Sequence, residues 1–273
     1  MRFTFLGTGT SSGVPAIACD CAVCASADPR DHRLRTGAAI RFVDPHGHDR
    51  TVLIDATPDL RQQAIRAGLR RCDAILFTHN HVDHTFGLDE VRRFNVVQRS
   101  PVDVFAEPST LAHLRRVYTH IFDHEANVND SFVATLIPHP LDPDSPFDLF
   151  GLRVTPVRLL HGRLPVLGFR FDAPEPHPHF PLAYCTDVSA IPPESWPRLR
   201  GLRTLVLDAL RRRKHPTHLT LDEAVNIADR VGARRTLFVH MAHDLAHAET
   251  DASLPEGMRL AYDGLTLGPE IPE

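Results

Sequence analysis

The chain has 273 residues, enough for one large domain or two small ones and for a sizeable core without covalent staples. Hydrophobic residues make up 42% and charged residues 23%, which excludes a disordered or fibrous chain. The formal charge of −4 is no footprint for a nucleic-acid binder, and no apolar run approaches the ~18 residues of a membrane span.

In chain order, Phe3–Gly7 reads as a strand that breaks into the Gly/Ser loop Gly7–Pro15. This opening has no long apolar stretch of the signal-peptide kind, so a cytoplasmic location is expected. The Cys-bearing segment to Arg35 reads as irregular. Ala38–Val43 and Thr51–Asp55 read as strands around a turn at Asp44–Asp49. A helix is expected over Pro58–Ala67, with Gly68 ending it, and a buried strand over Asp73–Phe77. Phe86–Phe94 reads as helical, Val102–Ala106 as a strand, and Ser109–Tyr118 as a helix with Ser109 a candidate cap. Asn127–Val133 and Pro138–Pro146 read as loops. Strands follow at 152–159, 166–172, 182–186, Thr204–Leu207 and Arg235–Val239, with a loop over 172–181. Thr220–Val231 reads as a helix opened by a capping box of Thr220 and Glu223. Hairpin-like pairs and strand–helix alternation together predict sheets covered by helices in an α/β fold.

The unusual count is 18 His, clustered with Asp. After the strand at Asp73–Phe77 comes His79-Asn80-His81-Val82-Asp83-His84. In extended chain, positions i and i+2 face one side, so His79 and His81 can share one cation, with Asp83 and His84 turned toward a second. Imidazole with carboxylate suits Zn, Mn or Fe. His161, Asp187 and His240 each follow an apolar strand as well, and strand-end loops meeting at one rim commonly build active sites. Of the five cysteines, Cys19, Cys21 and Cys24 lie within six residues and read as metal ligands, whereas Cys72 and Cys185 read as buried spectators.

The series Thr78–His84, His161-Gly162, Tyr184–Asp187 and His240 resembles the metallo-β-lactamase superfamily over nearly the whole chain. That resemblance implies a four-layer αββα sandwich, two mixed β-sheets flanked by helices, as a single domain over residues 1–273. It implies His79, His81 and His161 on one metal, Asp83, His84 and His240 on the other, and Asp187 bridging both. Asp55 resembles a common superfamily element and is expected to support a metal-bound His.

A narrower similarity follows from Leu6–Pro15, Cys19-Asp20-Cys21-Ala22-Val23-Cys24, Asp28–Asp31, His215–His218 and His240–Leu245. These stretches are similar to PhnP-type phosphodiesterases of the carbon–phosphorus lyase group. The similarity implies a structural zinc on Cys19, Cys21, Cys24 and His243, a closed tetrahedral site that would stabilise the loop over 19–35. It also implies two active-site metals, Zn, Mn or Fe, that activate a hydroxide against small, including cyclic, phosphodiesters. His218, then His215, is the candidate proton donor to the leaving oxygen, and Asp187 is expected to be essential to turnover. The Gly7–Gly13 loop is a candidate for presenting amides to an anion, and Arg211–Lys214 for attracting a phosphorylated substrate.

The alternatives are a tRNA 3′-processing ribonuclease-like nuclease and a non-catalytic metal-binding member. The negative charge and the lack of a long basic arm speak against polymeric nucleic acid. No ligand position is replaced, which speaks against a scaffold. Relatives in pyrroloquinoline quinone biosynthesis also carry an N-terminal Cys cluster, but the intact H-x-H-x-D-H motif points to a hydrolase. No membrane partner is expected, and a homodimer would fit similar proteins.

Overall fold

Alternation along single strands sets the layers of this protein. In β3 (Asp49–Ile54), Val52 and Ile54 face one apolar cluster and Leu53 another. In β10 (Leu182–Cys185), Leu182 and Tyr184 face the first cluster, while Ala183 and Cys185 face a third. Side chains of period two on a strand apolar on both faces require a cover on each side.

The protein is described by a computed structural model that covers residues 1–123, 125 and 132–268. The first sheet has seven strands. They are β1 (Arg2–Gly7), β2 (Gly37–Val43), β3, β4 (Ala74–Leu76), β5 (Val102–Ala106), β6 (Leu136–Pro140) and β14 (Thr266–Leu267), in the order β14-β1-β2-β3-β4-β5-β6. The pairs from β14 to β3 are antiparallel and those from β3 to β6 parallel. The second sheet holds β7 (Phe147–Leu149), β8 (Leu152–His161), β9 (Leu164–Asp172), β10, β11 (Thr204–Asp208), β12 (Arg235–Val239) and β13 (Met258–Leu260), in inverse chain order. Here β7 to β10 pair antiparallel and β10 to β13 parallel. Phe3, Phe5, Ile40, Phe169, Phe171 and Tyr184 fill the space between the sheets.

On the outer face of the first sheet lie α1 (Leu60–Arg66), α3 (Arg92–Gln98), α4 (Pro108–Val117) and α5 (Thr119–Phe122), with Leu60, Phe94, Leu111, Leu114 and Ile121 in one buried cluster, while the short α2 (Val82–Thr85) follows β4 and carries Asp83 and His84. Against the second sheet, α6 (Leu221–Val231) buries Leu221, Ala224 and Ala228, and α7 (His247–Ser253) follows. The result is the expected αββα sandwich of two mixed sheets. The capping box of α6 forms as predicted: Thr220 Oγ1 accepts from the Glu223 amide, Glu223 accepts from the Thr220 amide, and Gly232 closes the helix in the left-handed region.

Some local expectations change. Pro138–Pro146 is not all loop, because β6 runs to Pro140 as the sheet's edge, where a missing proline N–H leaves no ladder bond unmade. Ser109 is not a cap, since α4 begins at Pro108, whose absent N–H suits a first helical position. Phe86–Phe94 divides into a 3₁₀ turn at Leu88–Val91 and the start of α3. Most of Asn127–Val133 lies outside the described residues. Among the described residues, no helix is long and apolar enough to cross a membrane.

Candidate metal centre

The ends of β3, β4, β8, β10, β11 and β12 meet at one edge of the sandwich. They deliver Asp55, His79, His161, Asp187, Asp208 and His240. Asp55, Asp187 and His240 all have positive φ, at 64°, 55° and 62°. Asp and His are among the few side chains enriched in that region, and strain of this kind concentrates at functional sites.

Two donor groups share Asp187. His79, His81, His161 and Asp187 offer ligand atoms within 4.8 Å of one another, and so do Asp83, His84, Asp187 and His240. Asp187 Oδ1 lies 3.9 Å from His79 Nε2 and 3.3 Å from His240 Nε2, and its Oδ2 lies 3.2 Å from His84 Nε2. The Nε2 atoms of His79, His84 and His240 are buried without a hydrogen-bond partner. Buried polar atoms are rarely left unpaired, so three imidazole nitrogens facing one carboxylate fit divalent cations.

Charge inside the site is tightly balanced. Burial works to depress His84, but Asp187, Asp55 and Asp83 overcome it and hold its pKa well above the usual histidine range. Burial pushes the Asp187 carboxyl up, but His240 and His84 hold it well below its usual value. Burial, with His84 beside it, keeps His79 neutral, and burial lowers His161 to about 4. Neutral imidazole and ionised carboxylate are the ligating forms, so a cation bound at His84 would take the place of its proton and relieve the same carboxylates.

The ligands are themselves held. Asp55 accepts from His84 Nδ1 at 2.7 Å, from the Thr78 amide at 2.8 Å and from the Thr78 hydroxyl at 2.9 Å. With its proton given to Asp55, Thr78 Oγ1 is the acceptor for His79 Nδ1–H at 2.9 Å. Asp55 thereby orients one imidazole in each donor group. Thr186 Oγ1 donates to Asp187 Oδ2 at 2.7 Å, and His161 Nδ1 donates to the Thr217 carbonyl at 2.7 Å. Asp55→Asn is expected to weaken binding of both ions, with about 10- to 100-fold lower metal affinity in a competition titration.

His218 sits over this floor. Its ring stacks on His240 at 4.7 Å and meets His161 edge-on at 4.5 Å. Its Nδ1 donates to Asp208 Oδ2 at 2.7 Å. His215 is further out, with Nδ1 beside the Thr217 hydroxyl at 3.1 Å.

The second cluster also forms. Cys19, Cys21 and Cys24 Sγ lie 3.1, 3.4 and 3.4 Å from His243 Nδ1. Ligands about 2.3 Å (S) and 2.0 Å (N) from a tetrahedral zinc would stand about 3.5 Å apart, so the set fits. The Cys24 amide, pointing at Cys21 Sγ, lowers that thiol toward the thiolate. Arg33, 1% exposed, ties the region together, donating to the carbonyls of Ala242 and Leu245 and pairing with Asp31.

In two stretches singled out in the sequence, some of the donors are taken within the protein. The amides of Gly9, Thr10 and Gly13 donate to Leu34, Met241 and Thr10 carbonyls, so these three do not offer themselves to an anion. The loop instead docks the chain next to His240. In the basic run, Arg213 pairs with Asp244, Lys214 with Glu223, and Arg211 donates to backbone carbonyls. Those three charges are engaged within the protein.

The family described as Beta-lactamase superfamily domain matches residues 50–241. The crystal structure of a new diphosphatase from the PhnP family is 42% identical, superposes at TM-score 0.86, and covers 99% of this chain and 98% of its own. The chain belongs to the metallo-β-lactamase superfamily, in its PhnP family. A Porphyromonas gingivalis protein named octanoyltransferase is 35% identical over 97% of this chain and 51% of its own. The chain spans about half the length of the curated relatives it matches. Zn²⁺-bound PqqB from Methylobacterium extorquens has the same fold, at 22% identity and TM-score 0.74 over 98% of this chain and 100% of its own. The metallo-β-lactamase fold implies divalent metals, and the His/Asp clusters offer donor atoms close enough together to hold them.

The Asp208–His218 pair and the roles of Thr78 and Thr186 were not legible in the sequence. Their one trace there is position: each Thr immediately precedes a metal-site residue, and Asp208 ends a strand as Asp187 follows one.

Proposed function

We propose that this protein is a metal-dependent hydrolase of small phosphodiesters. The observation that carries this reading is the Asp187 carboxylate shared by two donor groups that are buried except at His81, with the Asp208–His218 pair beside them. His79, His81 and His161 would hold one divalent ion, Asp83, His84 and His240 the other, and Asp187 both. Cys19, Cys21, Cys24 and His243 would hold a structural zinc. Two divalent cations supply Lewis acidity toward phosphoryl oxygens and acidify water.

The chain's own residues do the rest. Asp55 and Thr78 keep the imidazoles of His84 and His79 in their ligating tautomers. Asp208 accepts Nδ1–H of His218, which leaves Nε2 of His218 to carry a proton to the departing alkoxide. His215 is second to His218 because it lies further from the donor groups and lacks a carboxylate partner. The test is hydrolysis of bis(p-nitrophenyl) phosphate with added Mn²⁺ or Zn²⁺; no turnover with either metal overturns the reading. A second reading, hydrolysis of a diphosphate, is favoured by the 42% identity to the PhnP-family diphosphatase, and inorganic pyrophosphate tests it.

His218→Ala separates proton donation from fold. With an alkyl leaving group, kcat is expected to fall about 100-fold or more, because an alkoxide needs a proton. With p-nitrophenolate, which leaves unprotonated, the rate should change little. Equal losses on both substrates would make His218 a packing residue.

A further inference from the structure

At the edge of the sandwich opposite the metal centre lies a cavity of about 450 Å³ lined by Arg2, Arg41, Arg50, Arg70 and Arg71, with Asp49 as its acidic wall residue. It opens where β3 begins, whereas Asp55 follows the other end of that strand. A strand of this length separates the two sites by about 17–20 Å.

The arginines differ in their partners. Arg50 meets Asp44 at 2.8 Å and Asp73 at 3.1 Å, and Arg71 meets Asp73 at 2.5 Å. Arg41 is different: it forms no ion pair among the described residues, and its Nε is sealed from solvent without a hydrogen-bond partner. Burial, and then Arg2 beside it, both work against its charge. A guanidinium keeps its proton in proteins, so this half-buried cation stands next to another cation with no carboxylate paired to it among the described residues. Arg70, exposed at the rim, has no ion-pair partner among the described residues either. Guanidinium forks match phosphate oxygens two at a time.

We propose that this cavity is a second ligand site that takes a diphosphate-type oxyanion, separate from the metal centre. The group could come from a free diphosphate or from a nucleoside diphosphate. An apolar groove that shares Met1 and Phe42 with the cavity, and adds Phe150 and Pro174, would seat an attached base.

The test is calorimetric titration of the metal-loaded full chain with two non-hydrolysable probes, methylenediphosphonate and α,β-methylene-ADP. Two binding events are expected for the unaltered protein. Arg41→Gln should weaken one of them by about tenfold or more, the worth of one charge-assisted hydrogen bond, and leave the other unchanged. Arg70→Gln, at the solvent-facing rim, should do the same if Arg41→Gln fails to fold. Hydrolysis of bis(p-nitrophenyl) phosphate without probe should be unchanged in Arg70→Gln. Equal affinity for the two probes assigns the site to the diphosphate group alone, and tighter binding of the nucleotide analogue assigns it to a nucleotide. A single event untouched by either substitution overturns the proposal, and does so without bearing on the reaction at the metal centre.

Discussion

Asp187→Ala is expected to lower kcat/KM on bis(p-nitrophenyl) phosphate by about 1,000-fold or more, since each metal–oxygen interaction in a transition state is worth several kcal/mol. The reason lies in its two oxygens. Oδ1 faces His79 and His240, and Oδ2 faces His84, so one carboxylate serves both donor groups. Its removal leaves three buried imidazoles around a space with one negative charge fewer. Asp187→Asn keeps the shape and removes the charge, and is expected to lose nearly as much activity. The fold should tolerate both, because the layers rest on apolar clusters on either side of β10. Elemental analysis beside the rate measurement decides the matter. Loss of the exchangeable metal with activity supports a shared ligand, whereas a variant that keeps two such ions and full turnover would refute it.

Cys24→Ser should act mainly on stability. The purified protein is expected to carry one metal that resists mild chelation, and this variant should lack it. A metal bound only by the folded chain contributes about 4 kcal/mol when its free concentration is 1,000 times its Kd. At roughly 2–4 °C per kcal/mol for a chain of this size, the melting temperature should fall by about 10 °C. Activity should also drop, because His243 is three residues beyond His240 and the Cys cluster holds the segment between them in place. Arg33 holds the same segment through Ala242 and Leu245, so the loss of activity should be partial. An unchanged metal count and melting temperature would refute the zinc site. Lost metal with unchanged activity would leave the zinc in place as a staple for the loop alone.

The H-x-H-x-D-H run and the C-x-C-x-x-C run were legible as clusters of donors because those donors lie close in sequence and the spacing itself brings them together. The strands were legible for a similar reason, since apolar alternation is a local property of β3 or β10. The diphosphate-type cavity was not legible, because Arg2, Arg41, Arg50 and Arg70 come from four separate segments. Nor were the partners of the amides in the Gly7–Gly13 loop legible from sequence. Glycines permit an amide cradle, but the carbonyls of Leu34 and Met241 that take those amides arrive from far along the chain.

The sequence by itself therefore determined the donor types, the strand ends that carry them and sheets covered by helices, which follow from short-range pattern, while the two-sheet sandwich was what the family resemblance implied. Tertiary structure alone decided that Asp187 stands between His79, His84 and His240, that Asp55 steadies an imidazole in each donor group, and that Asp208 pairs with His218 while His215 has the Thr217 hydroxyl beside it. The carboxylate–imidazole pairings among them join residues from ten to more than a hundred positions apart. They exist only once two sheets stack and six strand ends are brought to one edge, a consequence of burying both faces of every central strand.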